Sequence, residues 1–385
     1  MTARAWNPIA LCLLGLFILS ACATVSDRPR QNCSEGGLRL STAFEGAPAS
    51  TCQRLDRAYF ALAIAPEASP INPSPWYAFA LSAEVPQAVA VRLDYAEAGH
   101  RYHPWVRFEG SSWTRLDDDR VHLADDRMSA ELQIALQAGR TEIAAQPLYL
   151  APDYAALEAR WPGDWRSFGT SVEGRPLRAL VAPPLDEAAG WTLILGRQHP
   201  PEIPAAWSLE AFVDVLLAAR ASGEARGGLI VAPLLNPDGV RAGHWRLNAN
   251  QVDLNRDWAA RSQPEVRAVF DLLAGLGVEP SALNLVADFH STIDDRLYLP
   301  QAEELSTSAE MRLQGWLDAM AQDGLLEVID PRRTNPARRI SAKSAFTDEG
   351  AALALTWETG DRTGPDEARD LARRAAEAWL SVSAQ

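Results

Sequence analysis

The 385-residue sequence has little histidine, little cysteine and a deficit of positive charge: six histidines, four cysteines, and 36 Lys plus Arg against 50 Asp plus Glu. A formal net charge of −14 argues against nucleic acid as a partner, because the field around such a chain repels phosphate. Long hydrophobic runs are also scarce. The one apolar stretch near the start, Ile9 to Leu19, is shorter than the ~20 residues a bilayer-spanning helix needs. What is present, 47% apolar residues in a chain of this length, suffices for a sizeable core and suggests two domains. With so few histidines, the placement of each one carries information.

The first 22 residues, "MTARAWNPIALCLLGLFILSAC", have an early arginine, the short apolar stretch and two small residues before Cys22. They resemble a bacterial lipoprotein signal, in which Leu19, Ser20, Ala21 and Cys22 form the processing box. An ordinary secretory signal or a single anchor is the alternative reading. The resemblance implies a chain lipidated on Cys22, held at the membrane on the periplasmic side of the cell envelope, with Ala23 leaning toward the outer membrane. Cys33 and Cys52 are then the only pair in the mature chain, and an oxidising compartment favours a disulfide between them.

Residues 23–34 read as a polar tether. From 35 to 150, short alternating runs such as "AVAVRLDY", broken by Pro, Gly and Asp, read as an antiparallel β-sandwich. His100, His103 and His122 lie scattered there among arginines and acids and read as surface or hydrogen-bonded residues. From 155 to 385 the pattern changes. Heavily apolar strands ("PLRALVAP", "WTLILGRQ", "GGLIVAPLL", "ALNLVADFH", "ALALTWE") alternate with amphipathic helical stretches, which reads as an α/β domain with a mostly parallel mixed sheet covered by helices. Ligands in such sheets bind beyond the carboxyl ends of strands.

The chemically capable residues fall there. His199 and Glu202 follow "WTLILG", "NPDG" follows "GLIVAPLL", His290 ends "LNLVADF" and Glu358 closes "ALALTW". A lone histidine at a strand end is most often structural, but His-x-x-Glu after one strand and a second histidine after another make a donor set suited to zinc, with a coordination position left open. Prolines 200, 201 and 204 stiffen the loop that would hold the first two donors. Asp288, two residues before His290, falls on the same face of an extended strand and is placed either to orient a ring nitrogen or to pair with an arginine.

The words "GRQHPPE", "LLNPDGVRAGHWRLNANQVDLNRDW", "DFHST" and "LTWETG" resemble, in order, the zinc carboxypeptidase family, and within it the cytosolic carboxypeptidase branch. The resemblance spans roughly 155–375, and "SPWYAFAL" and "YHPWVRFEGSSW" more weakly resemble the small β-sandwich preceding the catalytic domain in that branch. It implies one zinc ion held by His199, Glu202 and His290, Glu358 as general base, Arg246 polarising the scissile carbonyl, and Asn255 with Arg256 gripping a terminal carboxylate. It departs from the digestive members in having no tyrosine after Tyr298, where they carry a mobile one, and from the branch in having Gln251 where a glycine precedes "VDLNR".

The implied activity is removal of C-terminal residues from peptides in the envelope, including murein peptides. The run "PRRTNPARRISAKSAF" holds Arg332, Arg333, Arg338, Arg339 and Lys343 without an acid, so it is either a basic pocket wall that would favour acidic substrates or a solvated loop. Two other readings stay open: a zinc amidase acting on murein peptides, and a non-catalytic binding lipoprotein. No obligate protein partner is implied.

Overall fold

The computed structural model describes residues 32–334 and 339–383. The lipoprotein box, Cys22, most of the tether and Arg338 lie outside the described residues. Among the described residues no helix is long and apolar enough to cross a membrane.

The amino-terminal part contains strands β1 (Asn32–Glu35), β2 (Leu38–Ser41), β3 (Thr51–Asp56), β4 (Tyr59–Ile64), β5 (Ala78–Ala83), β6 (Gln87–Tyr95), β7 (Trp105–Phe108), β8 (Thr114–Arg115), β9 (Val121–Leu123), β10 (Ser129–Leu136) and β11 (Gly139–Ala144). They form two sheets, ordered β1-β2-β5-β11-β7-β8 and β3-β4-β6-β10-β9. Period-two alternation drives the packing: Val89, Val91, Leu93 and Tyr95 of β6 are buried, as are Ala130, Leu132, Ile134 and Leu136 of β10. Two details depart from the sequence reading. Strand β1 begins inside the segment read as tether, tied to β3 by the Cys33–Cys52 disulfide. The β4–β6 pair is parallel, not antiparallel. His100 is buried, with Nδ1 2.8 Å from the Tyr95 hydroxyl, while His122 is exposed.

Helix α1 (Ala151–Arg160) leads into the second part, which contains β12 (Asp164–Thr170), β13 (Pro176–Ala182), β14 (Trp191–Gly196), α2 (Ile203–Ser222), β15 (Gly228–Ala232), α3 (Pro237–Ala242), α4 (Pro264–Leu276), β16 (Leu283–Thr292), β17 (Arg296–Leu299), α5 (Thr307–Gln322), β18 (Asp330–Arg333), α6 (Ala342–Asp348), β19 (Ala354–Gly360) and α7 (Pro365–Ser383). One sheet runs β12-β13-β15-β14-β16-β19-β17-β18. Its centre, β15-β14-β16-β19, is parallel. Helices α2, α5 and α7 pack together on one face, and α4 and α6 lie on the other.

Alternation along the central strands decides which residues face which layer. Leu285, Ala287 and Phe289 of β16, with Leu355 and Trp357 of β19, join the α2 side, where Phe212 meets Phe289 and Trp357 at ring-centroid distances of 5.6 and 6.4 Å. Val286 and Ala354 join the opposite core, so Asp288, His290, Thr356 and Glu358 follow them onto that face by the two-residue period. The β16–β19 register sets His290 directly beside Glu358 and Asp288 beside Thr356. Helix α2 is buried along most of its first three turns, which suits a helix apolar all round that is wedged between sheet and α7.

Trp357 thus anchors the strand that delivers Glu358. Replacing it with alanine is expected to cost about 3–5 kcal/mol of unfolding free energy, read from the denaturant midpoint of the purified protein.

Candidate active site

Strand β14 ends at Gly196, where a Cβ would sit 2.5 Å from Leu209 Cδ1 and 3.2 Å from the Pro233 carbonyl, so any larger residue would have to displace Leu209 and crowd that carbonyl. The next residue, Arg197, has φ +52° and is buried; its Nε donates to the Pro200 carbonyl (2.9 Å) and its Nη1 to the Tyr154 hydroxyl (3.0 Å). The proline-stiffened loop is therefore pinned from inside by a guanidinium. That pin sets His199 and Glu202 at the carboxyl edge of the sheet, facing His290 from β16.

His199 Nδ1 lies 2.8 Å from Glu202 Oε1, His290 Nδ1 lies 2.7 Å from Glu202 Oε2, and the two Nδ1 atoms are 3.2 Å apart. All three side chains are buried, and one donor atom from each falls within 4.8 Å of the others. The outer nitrogens are committed elsewhere: His290 Nε2 is 2.8 Å from Asp288 Oδ2, and His199 Nε2 is 3.0 Å from Asp253 Oδ1. Carboxylates at both Nε2 positions favour protons there, which leaves the two Nδ1 atoms, each facing a Glu202 oxygen, as the inward donors of the cluster. Two imidazoles with one carboxylate, gathered this closely, are a donor set that fits a divalent metal.

The supporting layer is dense. Gln198 Nε2 donates to both oxygens of Asp288 (2.7 and 2.8 Å), while its Oε1 accepts from Trp258 Nε1 at 2.9 Å. Asp253 reaches in two directions, from His199 to Arg246, whose Nε donates to Oδ2 at 2.6 Å. This bridging acid escaped the sequence reading although it stands two residues before Asn255; the rule that metal-binding histidines take an outer carboxylate was the signal that could have found it. Asn236 of "NPDG" serves as a fastener, its Nδ2 donating to the carbonyls of Gln198 (3.0 Å) and Leu247 (3.1 Å).

Glu358 borders the same cleft, and its Oε2 is buried without a hydrogen-bond partner. Burial raises its carboxyl to about 8; nearby His290 opposes this and Glu202 adds to it. Glu202 moves the other way: burial would raise it, but His199 and His290 hold it well below the usual range. Asp253 is likewise held low by His199 and Arg246 against its own burial.

Arg246 and Arg256 both line the cleft, a cavity of about 680 Å³. Asn255 lines it too, but its amide lies inward: Nδ2 is 3.1 Å from His290 Nε2 and Oδ1 accepts from the Ala342 amide at 3.0 Å. Gln251 has φ +60°, the left-handed conformation a glycine would adopt freely. Tyr298 of β17 borders the cleft as well.

Most of the basic run is not a pocket wall. Arg332 pairs with Asp330, Arg333 with Glu310, and Arg339 with Glu304 and Asp348, acids supplied by neighbouring segments that the local sequence window did not include. Lys343 is the exception among its described members. It is the chain's single lysine, is buried on α6, lines the cleft and donates to Thr334 Oγ1 at 2.7 Å; burial lowers its pKa.

Comparison with known proteins bears on the fold. Residues 192–383 match the family described as the succinylglutamate desuccinylase/aspartoacylase catalytic domain. Cytosolic carboxypeptidase 6 of Homo sapiens is 31% identical over 135 residues, 32% of this chain and 27% of that protein. An uncharacterised Zymomonas mobilis protein is 30% identical over 122 residues, 30% of this chain and 31% of its own. The metallo-carboxypeptidase of Burkholderia cenocepacia superposes with a TM-score of 0.76 at 18% identity, covering 90% of this chain and 99% of that one. The chain has the metallo-carboxypeptidase fold. A Pseudomonas aeruginosa metallo-carboxypeptidase, solved with (2-guanidinoethylmercapto)succinic acid, shares the fold at a TM-score of 0.71 and 20% identity, covering 90% of this chain and 100% of that one. The matched segments span less than a third of the length of the curated relatives. Within this fold, the trio, Glu358 and Arg246 all stand at the carboxyl end of the parallel strands.

Two outcomes follow for the metal-free protein. Calorimetric titration with Zn2+ is expected to show one site per chain, lost in His199→Ala or His290→Ala and weakened about 10- to 100-fold in Asp288→Asn. Glu358 holds its proton up to about pH 8 when folded but releases it near 4.5 when unfolded. The folded state therefore binds the extra proton between those values, and stability falls as pH rises across that window. Glu358→Gln is expected to flatten this slope in thermal melts run from pH 4 to 9.

Proposed function

We propose that the protein is a zinc-dependent carboxypeptidase that removes C-terminal residues from peptides, held in the bacterial cell envelope through lipid on Cys22. The observation that carries this reading is the buried trio of facing donors with a partnerless carboxylate, Glu358, in register beside His290. His199, Glu202 and His290 would hold the ion, which supplies Lewis acidity toward a carbonyl and lowers the pKa of water.

The rest is work for the chain's own groups. In its ionised form, which positive charge in the cleft favours, Glu358 is placed to accept a proton from the attacking water through Oε2 and return it to the leaving nitrogen. Arg246, its Nε held by Asp253, presents positive charge where the carbonyl oxygen becomes anionic, a role whose loss costs about 3–4 kcal/mol in comparable sites. Arg256 offers a planar fork to a terminal carboxylate. Asn255, turned toward His290 and Ala342, contributes to the clamp by fixing the wall from which Arg256 projects.

Substrate preference for acidic ends rests on Lys343, a buried amine in the cleft wall alongside Arg256. A buried cation with few partners is favoured by a carboxylate brought to it. The deacylase and amidase reading gains its support from the family description matched by residues 192–383. Retention of the trio, Glu358 and Arg246 together argues against a purely binding role.

One experiment separates these readings: kcat/KM for peptides that differ only at the last residue, each as free acid and as C-terminal amide. An exopeptidase loses most turnover on amidation, prefers a terminal Glu over Leu, and loses that preference in Lys343→Met. Equal cleavage of acid and amide would replace the carboxypeptidase reading with the amidase one.

A further inference from the structure

The segment that carries Arg246 has no ladder of its own. After α3 ends, residues 244–248 belong to no helix or strand. Three successive backbone N–H groups in it, those of Trp245, Arg246 and Leu247, nevertheless all donate to one carboxylate. That carboxylate is Glu67 of the sandwich, with Oε2 2.7 Å from the Trp245 nitrogen and Oε1 2.9 and 2.7 Å from those of Arg246 and Leu247. Consecutive amides turned to one side form a concave nest for an anion, and here the anion is a side chain that stands 178 residues earlier in the sequence.

The surrounding contact is close and specific. The Gly46 amide donates to the Arg241 carbonyl at 3.0 Å, and Gly243, at φ +71°, approaches the backbone of Gly46 to Pro48 so closely that a Cβ would lie 2.6 Å from it. Beyond Glu67 the same sandwich segment continues into Asn72 and Ser74, which border the cleft, and Arg101 joins them from the β6–β7 loop, its Nε donating to Asp361 just after β19 at 2.7 Å.

Arg246 is thus fixed at two points: its guanidinium by Asp253 and its main chain by Glu67. We infer that Glu67 is a positioning residue for Arg246, so that the sandwich domain completes the active site. This rests on the assignment of Arg246 to the reacting carbonyl. Hydrogen bonds to an ionised acceptor are roughly twice as strong as neutral ones, and three converge on one group. Glu67→Gln keeps the shape but sets an amide donor against at least one of the three N–H donors. The loop then relaxes, and a displacement of about 1 Å at a positioned group is enough for losses near 100-fold.

The test uses the full chain and two readouts. Hydrogen exchange by mass spectrometry is expected to show residues 244–248 deprotected in Glu67→Gln while β6 and β10 keep wild-type protection. In zinc-loaded protein, kcat for the free-acid peptide is expected to fall about 10- to 100-fold with KM nearly unchanged, the pattern of an interaction made only in the transition state. In an Arg246→Ala background, Glu67→Gln should then cost nothing further, because the two act through one group. Wild-type exchange at 244–248 in Glu67→Gln would overturn the inference, and so would an equal further loss in the Arg246→Ala background. A wild-type enzyme that cleaves no peptide would instead remove the functional reading, and the exchange result would still decide whether Glu67 holds the loop.

Discussion

Two imidazole nitrogens held 3.2 Å apart, each with its other nitrogen committed to a carboxylate, set the constraint on which the rest of the site depends. Glu202, Asp253, Asp288 and Glu358 gather around those rings in a region largely shut off from water. So many acidic groups cannot all ionise there without compensation; the two rings and Arg246 supply part of it, while Glu358 is left raised. The deficit is local and of a kind that a small divalent cation removes. Gln198, Trp258 and Arg197 have no chemistry of their own to perform; they keep the rings and carboxylates from relaxing apart before the cation arrives.

The fold makes this arrangement affordable by separating tasks between the faces of one sheet. Odd-numbered positions on β16 and β19 bury Phe289 and Trp357 against α2, while even-numbered ones carry Asp288, His290 and Glu358. Stability on one side and strain on the other thus share the same strands. The sandwich joins in from across the cleft, where its loops meet those that follow α3 and β19.

Much of this was legible in the sequence because it obeys short-range rules. A period of two put Asp288 and His290 on one face, an apolar run ending in glutamate marked β19, and the proline-rich turn after "WTLILG" marked a rigid loop. Strands β12, β17 and β18 were not legible: β17 and β18 have only four residues each, and all three lie toward the edges of the sheet, where a strand needs no continuous apolar run. The basic run stayed ambiguous in the sequence because its acids, Glu304 and Glu310 among them, come from outside the window in which charge was counted. The inward turn of the Asn255 amide was not legible, because sequence shows identity and not direction. Glu67 left no trace at all, since a carboxylate answering three backbone groups has no residue pattern to match.

The arginine-dominated make-up of this chain has a last consequence. Every cationic side chain but one is a guanidinium, which resists acylation and stays charged. The sole side-chain amine stands in the cleft wall with its basicity reduced by burial, and a less basic amine is the better nucleophile at neutral pH. An amine-selective reagent small enough to enter therefore meets one side-chain target, already at the place where a reporter group would sense occupancy.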